Sequence, residues 1–526
     1  MKLLTFAILG LFALVSCASV GKKNYDDGST LYQQAKQFDA YVQGTLDVDQ
    51  VQLLVQSCKA KSSDNPFCHS VRRAKQLFRY QRHKERVVAP PKKQKAAPTP
   101  IRFGKSGQPL NVNRLRRKPV GELLEGMGGL EKDQIQRLAE ASLKYRCPNN
   151  LAVAAAATLE NYLPSENYWE LIAQLYLKGG SCTSRRSEDR EHFYTRAGLM
   201  YWWVKRYDQA LKWFSKSPSR DAFSGRSLYW RFRAERELGK DAEAQETLKR
   251  LLTSYPFAFH TMVASLQANV DLAAEVLGES QPLENRSQKS AAANPLISQA
   301  EILKKYGFDD TGAVLSTWIL GSYRRLEPSV RVYVAGLGDA HTKVTTLPLL
   351  LIRYRQLRTQ EVLQIAYPRP FPELFKEYNR GVDPYLLWAL SRKESEFNPK
   401  AISVAHAQGL LQLNPSTAAR LADGQAIDLL DPATNLKLGA GYFRSLLNRF
   451  EDKNYVALSG YNAGEHNADK WLHRYPTEDS VLFIDLISYR ETRNYVGFVL
   501  NNYYWYRRLY EDTSQGAVRK HIALDR

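Results

Sequence analysis

Cysteine is scarce, with five residues in a chain of 526. No spacing among them has the form of a zinc site, and no histidine pair falls at the interval of a metal-binding helix. No metal site is therefore expected. A second long apolar run is also missing, and beyond the first residues nothing is apolar for long enough to cross a bilayer. Acidic residues are in deficit, 54 Asp and Glu against 74 Lys and Arg, for a net charge of +20. A surface this basic suits nucleic acid, anionic lipid or an acidic polymer, and charge alone does not choose among them.

What is present at the start narrows the choice. Met1-Lys2 is a short positive opening, followed by the apolar run from Leu3 to Val15. Residues 1–16 have the length and flanks of a secretory signal. Ser16 directly before Cys17 resembles a bacterial lipobox, with plain signal-peptidase cleavage nearby as the alternative. The lipobox implies acylation of Cys17, a lipid anchor in a membrane, and a periplasmic location. Ala18 after the cysteine leans toward the outer membrane. Export, with no recognisable binding motif, argues against nucleic acid as a partner. Without Cys17 an even set remains: Cys58, Cys68, Cys147 and Cys182. An even set in an exported chain favours disulfides. Their order suggests Cys58–Cys68 and Cys147–Cys182, with other pairings open.

Residues 18–83 are expected to form a small region of short polar helices. From 84 to 118 the chain is basic and Pro-rich, through Pro90-Pro91-Lys92-Lys93 and Arg114-Leu115-Arg116-Arg117, and is expected to be a linker that need not fold. Residues 119–366 have helical periodicity almost throughout. Ala210 and Ala244 stand 34 residues apart, and Phe214 and Leu248 keep that offset. This period, with a small residue at the packing position, is that of stacked helix pairs of the tetratricopeptide kind. The aromatics there, Trp202, Trp203, Trp213, Tyr229 and Trp230 among them, are expected mostly in packing. Tyr367-Pro368-Arg369-Pro370 marks a boundary, and residues 367–526 are expected to form one compact helical domain. The fold class is all-α.

Within that last domain Glu394 stands out. Leu390, Leu387 and Leu386 precede it by four, seven and eight residues. At helical periodicity that spacing puts its carboxyl on the apolar stripe. Poor hydration of the anion raises a carboxyl's pKa and suits it to act as a general acid. Asp383-Pro384 has the form of a helix start, and Asn398-Pro399 of a stop. Ser416 or Thr417 is expected to cap the next helix.

The run Glu394-Ser395-Glu396-Phe397-Asn398-Pro399 is followed by Ser403 and by Gln408-Gly409-Leu410-Leu411-Gln412. Then come Tyr461-Asn462-Ala463-Gly464 and Tyr489-Arg490-Glu491-Thr492-Arg493-Asn494-Tyr495-Val496. In this order, over residues 370–510, they resemble the soluble lytic transglycosylases. The resemblance implies a superhelical, tetratricopeptide-like scaffold ahead of a lysozyme-like catalytic domain acting on peptidoglycan glycan strands. It implies Glu394 as the single catalytic acid/base, with Ser403, Gln412, Tyr461, Asn462 and Glu491 as substrate-binding and cleft residues. A lysozyme-type hydrolase using water and a non-catalytic wall-binding scaffold are the alternatives. The chain departs from the family pattern at His406, where a glycine is usual, and at Leu411, where a methionine is usual. The leucine is nearly volume-conserving, whereas the histidine adds bulk and gives up backbone freedom.

Overall fold

A computed structural model describes residues 101–104, 107–109, 111–165, 167–184, 187–217, 225–278, 294–323, 325–422, 427–511, 514–522 and 524, with a few positions between 33 and 40. Cys17, Cys58 and Cys68 lie outside them. The described elements are helices, and isolated β-bridges join Phe103 to Pro109 and Gln408 to Leu413. No described helix is long and apolar enough to cross a membrane. The chain packs as two compact bodies. Among the described residues, one takes in those from 101 to 276, 372 to 394 and 407 to 524, and the other those from 277 to 371 and 395 to 406.

In the first body, helices follow one another from Lys132–Leu143 to Phe259–Gln267, each packed on its neighbours in sequence. The repeat is visible as helix pairs: Glu188–Trp203 with Tyr207–Lys216, and Arg226–Glu237 with Asp241–Ser254. Ala210 and Ala244 are buried, as are Phe214 and Leu248. Gly198 allows this stacking, because a Cβ there would lie 2.4 Å from the Phe214 ring. The aromatics pack as expected. Trp202 meets Trp230 edge-on at 5.1 Å, and the Arg233 guanidinium lies 4.8 Å and 5.0 Å from their centroids. Cys147 and Cys182 are joined by a disulfide.

The end of the segment read as a linker is folded. Val112 and Leu115 are buried in a short helix, and the Arg116 guanidinium donates to the carbonyls of Arg146 and Pro148, both at 2.8 Å. Charge had argued for solvent there, and the backbone carbonyls of the following turn supply the missing partners.

The long helix Arg490–Tyr510 belongs to the same body and leans on Phe259–Gln267. Asn501 donates to the Phe257 carbonyl at 2.9 Å, and Gly497 sits against the Phe259 ring. Buried Asp485 ties the scaffold to this region. It accepts from Arg226 Nε at 2.7 Å, from Trp230 Nε1 at 2.6 Å, and pairs with His260 Nε2 at 2.8 Å. Arg196 and Glu160 form a second buried pair, to which the hydroxyls of Tyr176 and Tyr475 add hydrogen bonds at 2.7 Å.

In the other body, helices Pro295–Lys305, Asp309–Ser322, Pro328–Leu337 and Ala340–Arg353 pack in turn. His341 pairs with Glu396 at 3.4 Å, which fixes the segment 395–406 to this body.

Candidate active site

The helix Pro384–Glu394 starts as its sequence dictates. Asp383 caps it, accepting from the Tyr385 amide at 2.8 Å, and its other oxygen receives Tyr503 at 2.7 Å and Arg507 at 2.9 Å. Leu386, Leu387 and Leu390 are buried along one stripe, and Glu394 follows on it, half-buried. The helix stops at Glu394 itself, four residues before the proline stop. Glu396 and Phe397 have φ of 52° and 66°, which no α-helix continues through. Glu394 therefore sits at a helix C-terminus, where the peptide dipoles disfavour an anion.

Its carboxyl is pushed up to about 7, first by burial. Against that act the Tyr495 hydroxyl, which donates to Oε1, and the charge of Lys393, whereas the charge of Glu491 pushes further up. Tyr495 and Tyr461 are themselves raised well above the ordinary phenol range, by burial and by Glu394. Both remain hydroxyl donors at any working pH. Tyr461 spends its proton on the Leu411 carbonyl at 2.8 Å and packs against Tyr442 and Phe443.

The loop carrying Leu411 is held from inside. Gln408 and Leu413 pair across it at 2.9 and 3.0 Å, and Gln412, at φ 48°, folds its amide back onto the Gly409 carbonyl at 2.9 Å. Buried Asn435 satisfies three backbone groups: it donates to Gln408 O at 2.8 Å and Leu429 O at 2.9 Å, and accepts from Leu411 N at 2.8 Å. Gly409 lies so close, at φ 78°, that a Cβ would meet Asn435 Nδ2 and Leu429 O at 2.2 Å. The next helix, Pro415–Leu421, is capped by Asn414 through the Ser416 amide, in place of Ser416 or Thr417. Asn414 directly precedes Pro415, so its side chain already reaches the first free amide.

Asn462 accepts from Thr492 at 2.6 Å, which joins the Tyr461-Asn462 turn to the first turn of Arg490–Tyr510. Glu491 is exposed in that same turn. The structure thus brings Glu394, Gln412, Tyr461, Asn462 and Glu491 into one body. Ser403 belongs to the other body, half-buried, with its carbonyl accepting from the His406 amide at 2.9 Å. His406 is exposed at φ 65°. The backbone keeps the left-handed turn that glycine would allow, and histidine is among the side chains that tolerate it. Among the described residues no grouping of His, Cys, Asp and Glu could hold a metal ion.

Sequence reasoning missed Tyr495, Thr492 and Asn435. Tyr495 is one helical turn beyond Glu491, a spacing that puts both on one face. That signal was available. Nothing local marked Asn435, whose partners lie 6 to 27 residues away.

Residues 372–484 match the family model described as "Transglycosylase SLT domain". Over 318 residues the chain is 28% identical to the soluble lytic murein transglycosylase of Salmonella typhimurium, covering 56% of this chain and 45% of that one. Over 100 residues it is 36% identical to the membrane-bound lytic murein transglycosylase F of Alteromonas mediterranea, covering 18% of this chain and 21% of that one. The chain thus spans about half, or less, of these relatives' lengths. The lytic transglycosylase Slt of Pseudomonas aeruginosa, solved as an inactive mutant, superposes with a TM-score of 0.53 at 17% identity, covering 92% of this chain and 73% of that one. The 70 kDa soluble lytic transglycosylase of Escherichia coli does so with a TM-score of 0.51 at 17% identity, over 93% of both chains. At that identity the likeness establishes the fold: a helical scaffold with a lysozyme-like helical part.

Proposed function

We propose that this chain, a member of the soluble lytic transglycosylase family, cleaves peptidoglycan between N-acetylmuramic acid and N-acetylglucosamine and leaves a 1,6-anhydromuramoyl end. The observation that carries this reading is Glu394, a lone half-buried carboxyl with a pKa near 7. A group poised there gives up a proton and takes one back at neutral pH without a large driving-force penalty.

Glu394 donates its proton to the glycosidic oxygen as the C1–O4 bond breaks. The neighbouring N-acetyl carbonyl stabilises the cationic C1. The Glu394 carboxylate then takes the proton of the muramoyl C6 hydroxyl, whose oxygen closes on C1. Glu394 ends protonated, as it began, and no water is consumed. Tethering of the C6 hydroxyl removes most of the entropic cost of its attack. Conventional glycosidases set a second carboxylate across the bond. Here Glu396 is exposed and paired with His341. Glu491 acts on Glu394 by charge and raises its pKa. Ser403, Gln412, Tyr461, Asn462 and Glu491 are proposed to line the substrate cleft.

Purified sacculi digested with the wild type should release anhydro-muropeptides, and Glu394→Gln should release none. Reducing ends, one water heavier, would make the enzyme a hydrolase, and equal activity in both proteins would remove Glu394 from the chemistry.

We further propose residues 119–366 and 367–526 as scaffold and catalytic domain, and the periplasm as the location, with the mature chain anchored to the outer membrane through acylated Cys17. The basic surface would hold the enzyme on an acidic wall. Loss of labelled fatty acid and release from membranes in Cys17→Ala would support the anchor, and unchanged membrane retention would overturn it.

A further inference from the structure

Away from Glu394, an open pocket lies between the scaffold helix Glu188–Trp203 and the first turn of Arg490–Tyr510, and both walls belong to the same compact body. Its lining brings four guanidinium groups, of Arg196, Arg226, Arg490 and Arg493, and His192 beside the carboxyls of Glu188, Glu191 and Asp485. Most of these cations have a carboxylate partner. Arg196 is paired with Glu160, Arg226 with Asp485 at 2.7 Å, and Arg490 with Glu188 at 2.6 Å.

Arg493 differs. Its side chain is 2% exposed, yet it donates to the Ile487 carbonyl and to His192 Nδ1 at 3.2 Å, and no carboxylate among the described residues is within ion-pair distance. Burial, with Arg226 and Arg196 close by, pushes its pKa well down. An arginine nevertheless keeps its proton across the accessible pH range, so the buried charge stays, offset only at a distance by Asp485 and Glu160.

His192 adds to this. Arginine can only donate, so His192 Nδ1 must be bare and its proton must sit on Nε2. Burial and the surrounding arginines hold this imidazole well below its usual pKa, which keeps it neutral. Arginine and neutral histidine, the side chains that recognise planar or tetrahedral oxyanions, thus line the pocket together, with Arg226 and Arg490 held by Asp485 and Glu188.

We infer that the pocket lined by Arg493, Arg226, Arg490 and His192 binds a small oxyanion, a carboxylate or a phosphate group. The same first turn carries Thr492, which holds Asn462, and Tyr495 follows it to hold Glu394. An anion seated on Arg493 would therefore brace the turn that arranges the cleft.

The test is calorimetric titration of the full-length protein at fixed ionic strength with inorganic phosphate in one arm, acetate in a second and chloride as the reference, each followed by thermal unfolding. Saturable binding of phosphate or acetate is expected, with a matching rise in melting temperature. The tighter arm identifies the chemical class. Arg493→Lys keeps the charge and loses the fork, and should weaken binding at least tenfold. Arg490→Gln, at the exposed rim, guards against a folding defect at Arg493 and should weaken binding severalfold. Absence of saturable binding in both arms would overturn the inference, as would equal stabilisation of wild type and both variants, the mark of a general salt effect.

Discussion

Opposing influences meet at Glu394, and single substitutions separate their signs. The Tyr495 hydroxyl favours the carboxylate and Glu491 disfavours it. If Glu394 is the general acid, activity falls as pH rises through about 7. Tyr495→Phe should move that falling limb to higher pH, and Glu491→Gln should move it to lower pH. The measurement is kcat/KM against pH on one glycan substrate, and shifts in a common direction would refute the arrangement. Stability follows the same pKa. The folded value of about 7 exceeds the ordinary carboxyl value of 4.5. The favourable contribution of the protonated form is complete below pH 4.5 and is lost as pH rises to about 7. Glu394→Gln, which never ionises, should gain on the wild type over that window by roughly 1–3 kcal/mol, given about 1.4 kcal/mol per pKa unit and a half-buried site. Denaturant melts at pH 4 and pH 8 measure the difference.

Among the elements, the loop 408–413 depends on one side chain. Asn435→Ala would leave Leu411 N, Gln408 O and Leu429 O without their partners. An unsatisfied buried group costs about 1–3 kcal/mol, so a loss of roughly 2–4 kcal/mol is expected in urea melts, together with loss of the proposed activity. Asn435→Asp should recover only the bond to Leu411 N, since a carboxylate cannot donate to the two carbonyls. The helix that ends at Glu394 was legible because a leucine stripe, Asp383 and Pro384 are local signals. Its stop was not, because Glu396 and Phe397 enter the left-handed region without a glycine. Glu396 there lies 3.4 Å from His341, a residue 55 positions earlier that no local pattern points to.

For the whole molecule, the disulfide Cys147–Cys182 closes a loop with a sequence separation of 35. A loop of that length should lower the unfolded state's entropy enough to contribute about 4 kcal/mol. Cys147→Ser with Cys182→Ser should cost roughly 2–4 kcal/mol in denaturant and leave the substrate preference unchanged. Asp485 fastens scaffold to cleft, and Arg226 and His260 hold its pKa below the ordinary carboxylate range despite burial. Its contribution is therefore present above the ordinary aspartate value of 3.8 and lost as pH falls below it.

By itself the sequence determined the all-helical class, the repeat of 34 residues, and the Glu394 helix with its acid on the apolar face. These rest on periodicity and capping, which involve residues a few positions apart. Tertiary structure alone decided that burial raises the acid's pKa while Tyr495 and Glu491 act on it in opposite directions, that Asn435 holds the loop, and that Arg493 is buried with no carboxylate among the described residues at ion-pair distance. Each depends on groups brought together from distant parts of the chain, where burial changes the energy of a charge or a hydrogen bond far more than any local pattern records.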